Sequence, residues 1–151
     1  MSRLQDLAPD VALRELIDGK VQVQTDDDKH EAVNVYADGE RPNTKLGGEL
    51  IELTWNGAAQ SLTQPIGLYR GNLAMVVWVK TQPDGRIKTQ RVRQIIGQVE
   101  DLVNGASASG FYFSFDATSV IMPTNNNIES GYSTTVINVE WHVTDEFFSN
   151  S

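Results

Sequence analysis

A run of apolar residues from Leu73 to Val79 sets the strongest limit on how this chain folds. A strand with one face in water alternates apolar and polar residues, whereas a strand covered on both faces is apolar throughout. The run therefore predicts a central strand of a sheet, with other parts of the chain packed on both of its faces.

The clearest helical pattern follows that strand, at residues 91–105. Its apolar residues fall on one face at helical spacing: Val92, Ile95, Ile96, Val99, Leu102 and Val103. Gly105 follows the last of them, where a glycine commonly ends a helix. We expect this amphipathic helix to cover one face of the sheet. Gly97 lies inside it at a cost of roughly 1 kcal/mol relative to alanine, which suggests a close approach between the helix backbone and a neighbour.

A second helix and two short strands are predicted near the N-terminus. In the segment 4–20, Pro9 suits a first helical turn, and Gly19 stands where a helix would end. Apolar and polar residues then alternate at 21–24 and again at 33–36, with a polar turn between them. This alternation is typical of strands that bury one face.

Further strands are predicted in the second half of the chain and before the apolar run. Alternation recurs at 50–55, 111–115 and 135–143. Between the apolar run and the helix, the residues Pro83, Asp84 and Gly85 predict a β-hairpin turn, with a short strand at 86–89.

Helices and strands do not alternate regularly along the chain, which argues against a doubly wound parallel sheet. The chain has 151 residues, of which 40% are hydrophobic, and it shows no internal repeat or linker. That length is enough for one core. We therefore predict an α+β fold, a single domain over residues 1–151. Its mixed or antiparallel sheet carries an N-terminal helix and a central amphipathic helix packed on it.

Composition argues against several functional classes. The chain has no cysteine, so disulfides, thiol nucleophiles and thiolate metal ligands are excluded. Its net charge of −8 disfavours DNA recognition and anionic membranes, since the one basic cluster is short: Arg86, Lys88, Arg91 and Arg93. There is no apolar run long enough to span a bilayer and no signal-peptide pattern, so we expect a protein that is made and used without secretion.

No candidate for catalysis or metal binding stands out. His30 lies in an acidic run with Glu31 and 26–28, which is typical of a solvated turn and does not match a calcium loop. His142 alternates with apolar residues and is expected on the polar face of a strand. The segment 105–110 has the wrong glycine and serine spacing for a nucleophile elbow or a phosphate loop. We therefore predict no enzyme activity, no catalytic residues, no metal and no cofactor.

The remaining features indicate interactions with other proteins. Long polar loops are predicted at three places: 37–49, 56–72 and 116–133. A compact domain rarely keeps several loops longer than about 12 residues unless they have a function, and holding a partner is one such function. Three aromatic residues lie in or beside these loops: Trp55, Tyr69 and Tyr132.

The order of elements, from about Val33 to Val143, resembles the tail terminator proteins of long-tailed bacteriophages. These are also called tail completion or head-tail joining proteins. Three features carry the resemblance: the apolar strand at 73–79, the amphipathic helix at 91–103, and Tyr132 just before the final apolar strand. The resemblance is one of pattern and of element order.

The resemblance implies a structural virion protein in the tail or neck, made in the cytoplasm of the bacterial host. Such proteins form a ring, expected here to be a hexamer, that caps the tail tube and stops its polymerisation. The ring then offers the surface to which the head, through connector or neck proteins, is joined. DNA passes through the lumen without sequence recognition, and an acidic chain suits such a lumen because like charges repel.

Seven residues are predicted to contact neighbouring subunits or partners: Tyr69, Arg91, Arg93, Glu100, Asp101, Phe147 and Phe148. The helix at 91–105 has its arginines near one end and its acids near the other, so its outer face is suited to a neighbour of opposite charge. The two phenylalanines lie beyond the last strand and either anchor a partner or fold back onto the core. Two alternatives stay open: another neck, head-completion or tail-tube subunit, and a small α+β enzyme or ligand-binding domain.

Overall fold

The computed structural model describes residues 7–24, 29–41, 48–61, 69–125 and 131–144, with the backbone alone at 56–61 and 116–125. The elements, in chain order, are α1 (Pro9–Ile17), β1 (Gln22–Gln24), β2 (His30–Ala32), β3 (Asn34–Tyr36), β4 (Leu50–Ser61), β5 (Tyr69–Lys80), α2 (Thr89–Val103), β6 (Ser107–Ala108), β7 (Phe111–Asn125) and β8 (Tyr132–Val143).

Most strands form one mixed sheet of six strands in the order β3-β4-β5-β8-β7-β6. β3 and β4 are parallel, and every other neighbouring pair is antiparallel. β1 and β2 form a separate antiparallel pair beside it. The prediction of an α+β fold with a mixed sheet, an N-terminal helix and a central helix is confirmed. The apolar run at 73–79 lies in β5, inside the sheet between β4 and β8, as predicted.

The two helices begin and end as their sequences lead one to expect. Pro9 occupies the first turn of α1, where its missing N–H leaves no bond unmade. α1 and α2 are each followed by a glycine with positive φ, +78° at both Gly19 and Gly105, and this conformation ends a helix with little strain only at a residue without a side chain.

A single main core lies between the helices and one face of the large sheet. Every second residue of β5 enters it, and Leu73, Met75 and Val77 are fully buried. The apolar stripe of α2 packs on this face through four buried side chains: Val92, Ile95, Val99 and Val103. Ile96 and Leu102 are partly buried at its margins. This confirms that α2 covers the sheet.

The other face of the sheet is more polar and carries a small second cluster. Leu50, Trp78 and Tyr132 are buried there, with Tyr36 and Val76 partly buried against them. The Arg41 guanidinium lies 5.2 Å from the ring centroid of Trp78 and forms an ion pair with Glu52. The strand at 73–79 is thus covered on its second face by this cluster at one end only, because Ala74 and Val76 stay half-buried.

Two of the three predicted long loops are mostly strand. The segment 56–72 contains the end of β4 and the start of β5, and 116–133 contains the end of β7 and the start of β8. Both predictions were wrong because small and polar residues weaken the alternation that marks a half-buried strand, while pairing with a neighbouring strand still satisfies the backbone. Residues 62–68 and 126–130 lie outside the described part, as do 42–47 of the third predicted loop.

Several smaller predictions also need correction. The turn at 83–85 leads directly into α2, without the hairpin strand that was expected at 86–89. His30 lies in strand β2 and is exposed, so it does not belong to a turn. Among the described residues, apart from the backbone of the helix itself, no atom would come within 4 Å of a Cβ added at Gly97, so the close approach expected there is not found in the described part of the chain.

The segment 105–110 also holds more structure than a plain connection between a helix and a strand. It contains the two-residue strand β6, which pairs with the start of β7. Ser109 and Gly110 connect them, both with positive φ, at +52° and +86°. Two such residues in succession are typical of the tight turn whose twist matches that of a β-hairpin.

Candidate functional site

The outer face of α2 is an exposed polar stripe that ends in opposite charges. Arg93, Glu100 and Asp101 are all exposed and lie on the side of the helix away from the core. Arg93 precedes Glu100 by two helical turns, so the stripe is basic toward its start and acidic toward its end. None of the three forms an ion pair with a described residue, so this face is free to meet charged groups on a neighbour.

Arg91 differs from these three because its guanidinium already forms an ion pair within the chain. Its Nη1 atom lies 2.7 Å from Oε1 of Glu49, and both side chains are largely buried, at 18% and 13% exposed. Its Nη2 atom donates a second hydrogen bond of 2.8 Å to the carbonyl oxygen of Gln24. Arg91 therefore connects α2 to β1 and to the residue before β4, which gives it a clear role within the monomer.

The predicted aromatic contacts fall in two places. Tyr69 is the first residue of β5 and is half-buried against the main core, so part of its ring already packs inside the chain. Phe147 and Phe148 lie outside the described residues, and their proposed contacts stay predictions.

The edge of β1 that does not pair with β2 is covered by side chains of α2. Gln98 accepts a hydrogen bond of 2.9 Å from the Gln22 N–H and donates one of 2.8 Å to the Gln22 carbonyl oxygen. Its amide thus makes the pair of bonds that a neighbouring strand would make. Together with the bond from Arg91 to Gln24, these contacts satisfy backbone groups at a strand edge.

In the large sheet, the first residues of β4 and of β7 are also paired on the side that faces away from β5 and β8. β3 pairs with β4 from Leu50 to Glu52, and the Asp38 carboxylate then accepts a hydrogen bond of 3.1 Å from the Trp55 N–H. On the opposite side of the sheet, β6 pairs with the start of β7. The Asn104 side-chain oxygen then accepts a bond of 3.2 Å from the Phe115 N–H. On each strand, the last contact on this side is therefore a hydrogen bond from a backbone N–H to a side chain, and we call these two bonds the caps.

Beyond those caps, each outer strand continues without a described partner on its outer side. β4 continues over 56–61 and β7 over 116–125, and both still pair with their inner neighbours, β5 and β8. We call these two segments the open edges. Such edges present unpaired backbone donors and acceptors that another strand can bind. Their sequences predict loops in both segments, so these edges are not apparent from the sequence alone.

A shallow concavity lies between α1 and β3. It is lined by Arg14, Glu15, Asp18, Val35, Tyr36 and Glu40. At its rim, the Arg14 guanidinium donates hydrogen bonds to both carboxylate oxygens of Glu40. These bonds raise the pKa of Arg14 and, with a further bond from the Ala37 N–H, lower the pKa of Glu40. The charges of Arg14 and Glu40 therefore neutralise each other.

The residues considered for catalysis and metal binding are dispersed in the structure. His30 is exposed on β2, and His142 is exposed on β8, where its ring lies 4.9 Å from that of Tyr112. Within the described ranges, no three carboxylate, imidazole or thiol groups are close enough together to hold a metal ion. Neither α1 nor α2 is long and apolar enough to cross a bilayer.

Comparison of the chain with models of protein families, with curated proteins and with solved structures finds no match.

Proposed function

We propose that this chain is a structural subunit of a phage tail terminator, which assembles as a ring on the end of the tail tube. In this proposal the ring is a hexamer that stops tube polymerisation and forms the surface for joining the head. The observation that carries the proposal is the packing of the three features of the resemblance. The apolar strand at 73–79 lies inside the sheet, α2 packs on it, and Tyr132 begins β8, the strand that pairs with β5.

Two properties of the surface support an assembling subunit. The stripe on α2 carries exposed charges of opposite sign near its two ends, which suits a head-to-tail contact in which a basic end meets an acidic one. The net charge of −8 suits a ring through which DNA passes without binding, because like charges repel. The proposed partners are further copies of this chain, the tail-tube protein and the connector or neck proteins.

The decisive test is whether the chain limits tube growth. The purified chain would be added to growing tubes of the tail-tube protein encoded in the same genome, and tube lengths would be measured by negative-stain microscopy. We expect shorter tubes with an added ring at one end, and unchanged length distributions would contradict the proposal. Light scattering of the chain alone and of the tube-bound form would give the stoichiometry, roughly 100 kDa for six copies of the 16.7 kDa chain.

A second candidate is a tail-tube or other neck subunit. The two long hairpins favour it, because β4–β5 and β7–β8 consist of strands of 12 and 15 residues, well above the usual length of about 5–6 residues. Long hairpins are typical of subunits that extend a sheet into a tube. The two candidates differ in one respect: a tube subunit polymerises by itself into tubes of many rings, whereas a terminator forms at most one ring.

A further inference from the structure

We infer that the open edges, 56–61 of β4 and 116–125 of β7, pair with each other between neighbouring copies of this chain, so that the sheet of one subunit continues into the next. This inference rests on the proposed ring and names the contact that builds it. The partner is a second copy, and the contact is made mainly by backbone hydrogen bonds.

The open edges differ from the covered stretches of β1, β4 and β7. The chain covers β1 with Gln98 and Arg91, caps β4 at Trp55 through Asp38, and caps β7 at Phe115 through Asn104. Described residues thus cover each outer strand of the large sheet up to one point and no further. An uncovered edge is a site of association with other strands, so the parts of β4 and β7 that lie beyond the last contact with a described residue are candidates for pairing with a second copy.

The open edges contain few charged residues. Natural edge strands are commonly protected by charged residues, above all lysine. Although 21% of the chain is charged, the sequences of the open edges, NGAAQS and DATSVIMPTN, contain Asp116 as their one charged residue. The low charge removes the usual obstacle to strand addition, and Pro123 is the one residue there that lacks an N–H to donate.

The two open edges also run in directions that allow pairing between copies. β4, β5, β8 and β7 are neighbours in that order, and each pair is antiparallel. β4 and β7 therefore run in opposite directions on opposite sides of the sheet. A second copy in the same orientation, placed beside the first, brings its β4 next to the first copy's β7 as an antiparallel pair. The contact is heterologous, and each copy keeps one edge free for the next, which is the requirement for a ring.

The two open edges lie toward opposite ends of the sheet, so neighbouring copies that pair through them are shifted relative to each other along the strands. Gln60 lies in one row with Arg70 and His142, whereas Asn125 lies in a row with Ser133 and Val79 at the other end of the sheet. Pairing the open edges therefore displaces each copy along the strand direction, on the order of 20 Å at about 3.3 Å per residue. Strands tilted to the ring axis accommodate such a displacement, as they do in closed barrels.

Register irregularities near both open edges add selectivity. β4 is irregular between Trp55 and Ala59, and β7 is irregular between Asp116 and Ile121 and again before Thr124. Bulges bend a strand and increase its twist, so a flat edge of an unrelated protein fits poorly. Pairing between copies of the same chain then requires that the irregular stretches of β4 and β7 fit each other, which makes the contact selective.

The test uses the absence of cysteine from the chain, since each introduced thiol is then the sole one. Two single variants, Ala59→Cys and Ser119→Cys, place one thiol on each open edge. They would be treated with a short bismaleimide separately, as a mixture, and in the presence of tail tubes. We expect about tenfold or more covalent dimer in the mixture than in either variant alone, because the linker joins thiols only when they are held close together.

The double variant Ala59→Cys/Ser119→Cys should give a ladder of covalent species that ends at the ring size. The matched control, Ala59→Cys/Lys20→Cys, carries the same number of thiols with one moved to the exposed turn after α1, and it should give no ladder. Equal crosslinking in the control, or in the single variants taken alone, would overturn the inference. So would an absence of crosslinks both in solution and on tubes.

The outcomes separate this inference from the proposed function. A ring that stops tube growth but gives no crosslink between the open edges leaves the function standing and overturns the edge pairing. Crosslinked ladders from a chain that does not affect tubes support the edge pairing and overturn the function. A chain that neither crosslinks nor limits tubes overturns both.

Discussion

Thr135 on β8 has a buried hydroxyl with no hydrogen-bond partner among the described residues, and the residue is 1% exposed. A buried hydroxyl without a partner costs free energy, whereas a methyl group of the same shape does not. We expect Thr135→Val to raise the free energy of unfolding by about 1 kcal/mol, as measured by urea denaturation. Thr134→Val is the matched control, because its half-buried side chain lies on the opposite face of the same strand. An equal gain in both variants would point to general strand propensity as the cause.

The Arg14–Glu40 pair should make the free energy of unfolding depend on pH in the acidic range. The Arg14 guanidinium lowers the pKa of Glu40 below its ordinary value of 4.5. A carboxyl group with a lowered folded pKa stabilises the fold above its unfolded pKa, and the effect is lost as pH falls through the folded pKa. We therefore expect Glu40→Gln to make the loss of stability below about pH 4.5 less steep, as measured by urea midpoints across a pH series. Arg14→Gln, which removes the partner of the Glu40 carboxylate, should flatten the same part of the profile.

At the scale of elements, Gly97 offers a simple test of α2. It lies inside the helix on the exposed side, and a Cβ added there meets no described atom within 4 Å beyond the backbone of the helix itself. Gly97→Ala should therefore stabilise the protein by about 0.5–1 kcal/mol, because alanine lowers the backbone entropy of the unfolded chain. Gly19→Ala should act in the opposite direction, since Gly19 has a φ of +78° that alanine adopts only with strain. Thermal unfolding of the two variants would show whether the signs differ.

The amide of Gln98 provides a second test at this scale, of how helix α2 supports strand β1. Gln98→Ala removes both bonds to the Gln22 backbone. We expect a loss of about 1 kcal/mol of stability and faster hydrogen exchange at the Gln22 N–H, by about fivefold, measured by NMR. Gln94→Ala, one turn earlier and exposed, is the control. Unchanged exchange at Gln22 would show that water replaces the side chain without loss.

The elements that the sequence predicts well are those with a strong apolar period. α2 was expected at 91–103 and spans Thr89–Val103. β8 buries Ile137, Val139 and Trp141 on the predicted face. The far halves of β4 and β7 were missed because their partners, β5 and β8, supply the bonds that hold them extended. Local composition there favours loops, and pairing with the next strand of the same hairpin overrides it.

At the scale of the whole molecule, Arg91 and Arg93 should separate folding from assembly. Arg91→Ala leaves the largely buried Glu49 carboxylate without its partner, so we expect a loss of about 2 kcal/mol of stability in the monomer. Arg93→Glu alters an exposed residue and should change monomer stability by less than about 0.5 kcal/mol. It should weaken ring formation, as measured by light scattering. Normal assembly of Arg93→Glu would assign that face to solvent.

The sequence alone determines the parts of this protein that depend on local periodicity: the two helices, the strand inside the sheet and the face of each element that is buried. The tertiary structure decides which strand edges are covered and which are open. Gln98 caps Gln22 across 76 positions of the chain, and no pattern within either segment indicates that bond. The open edges of β4 and β7 exist because β3 and β6 are short. Whether a strand is central or peripheral depends on its neighbours in the sheet, and β5 is central because β8, which lies far along the chain, pairs with its second side.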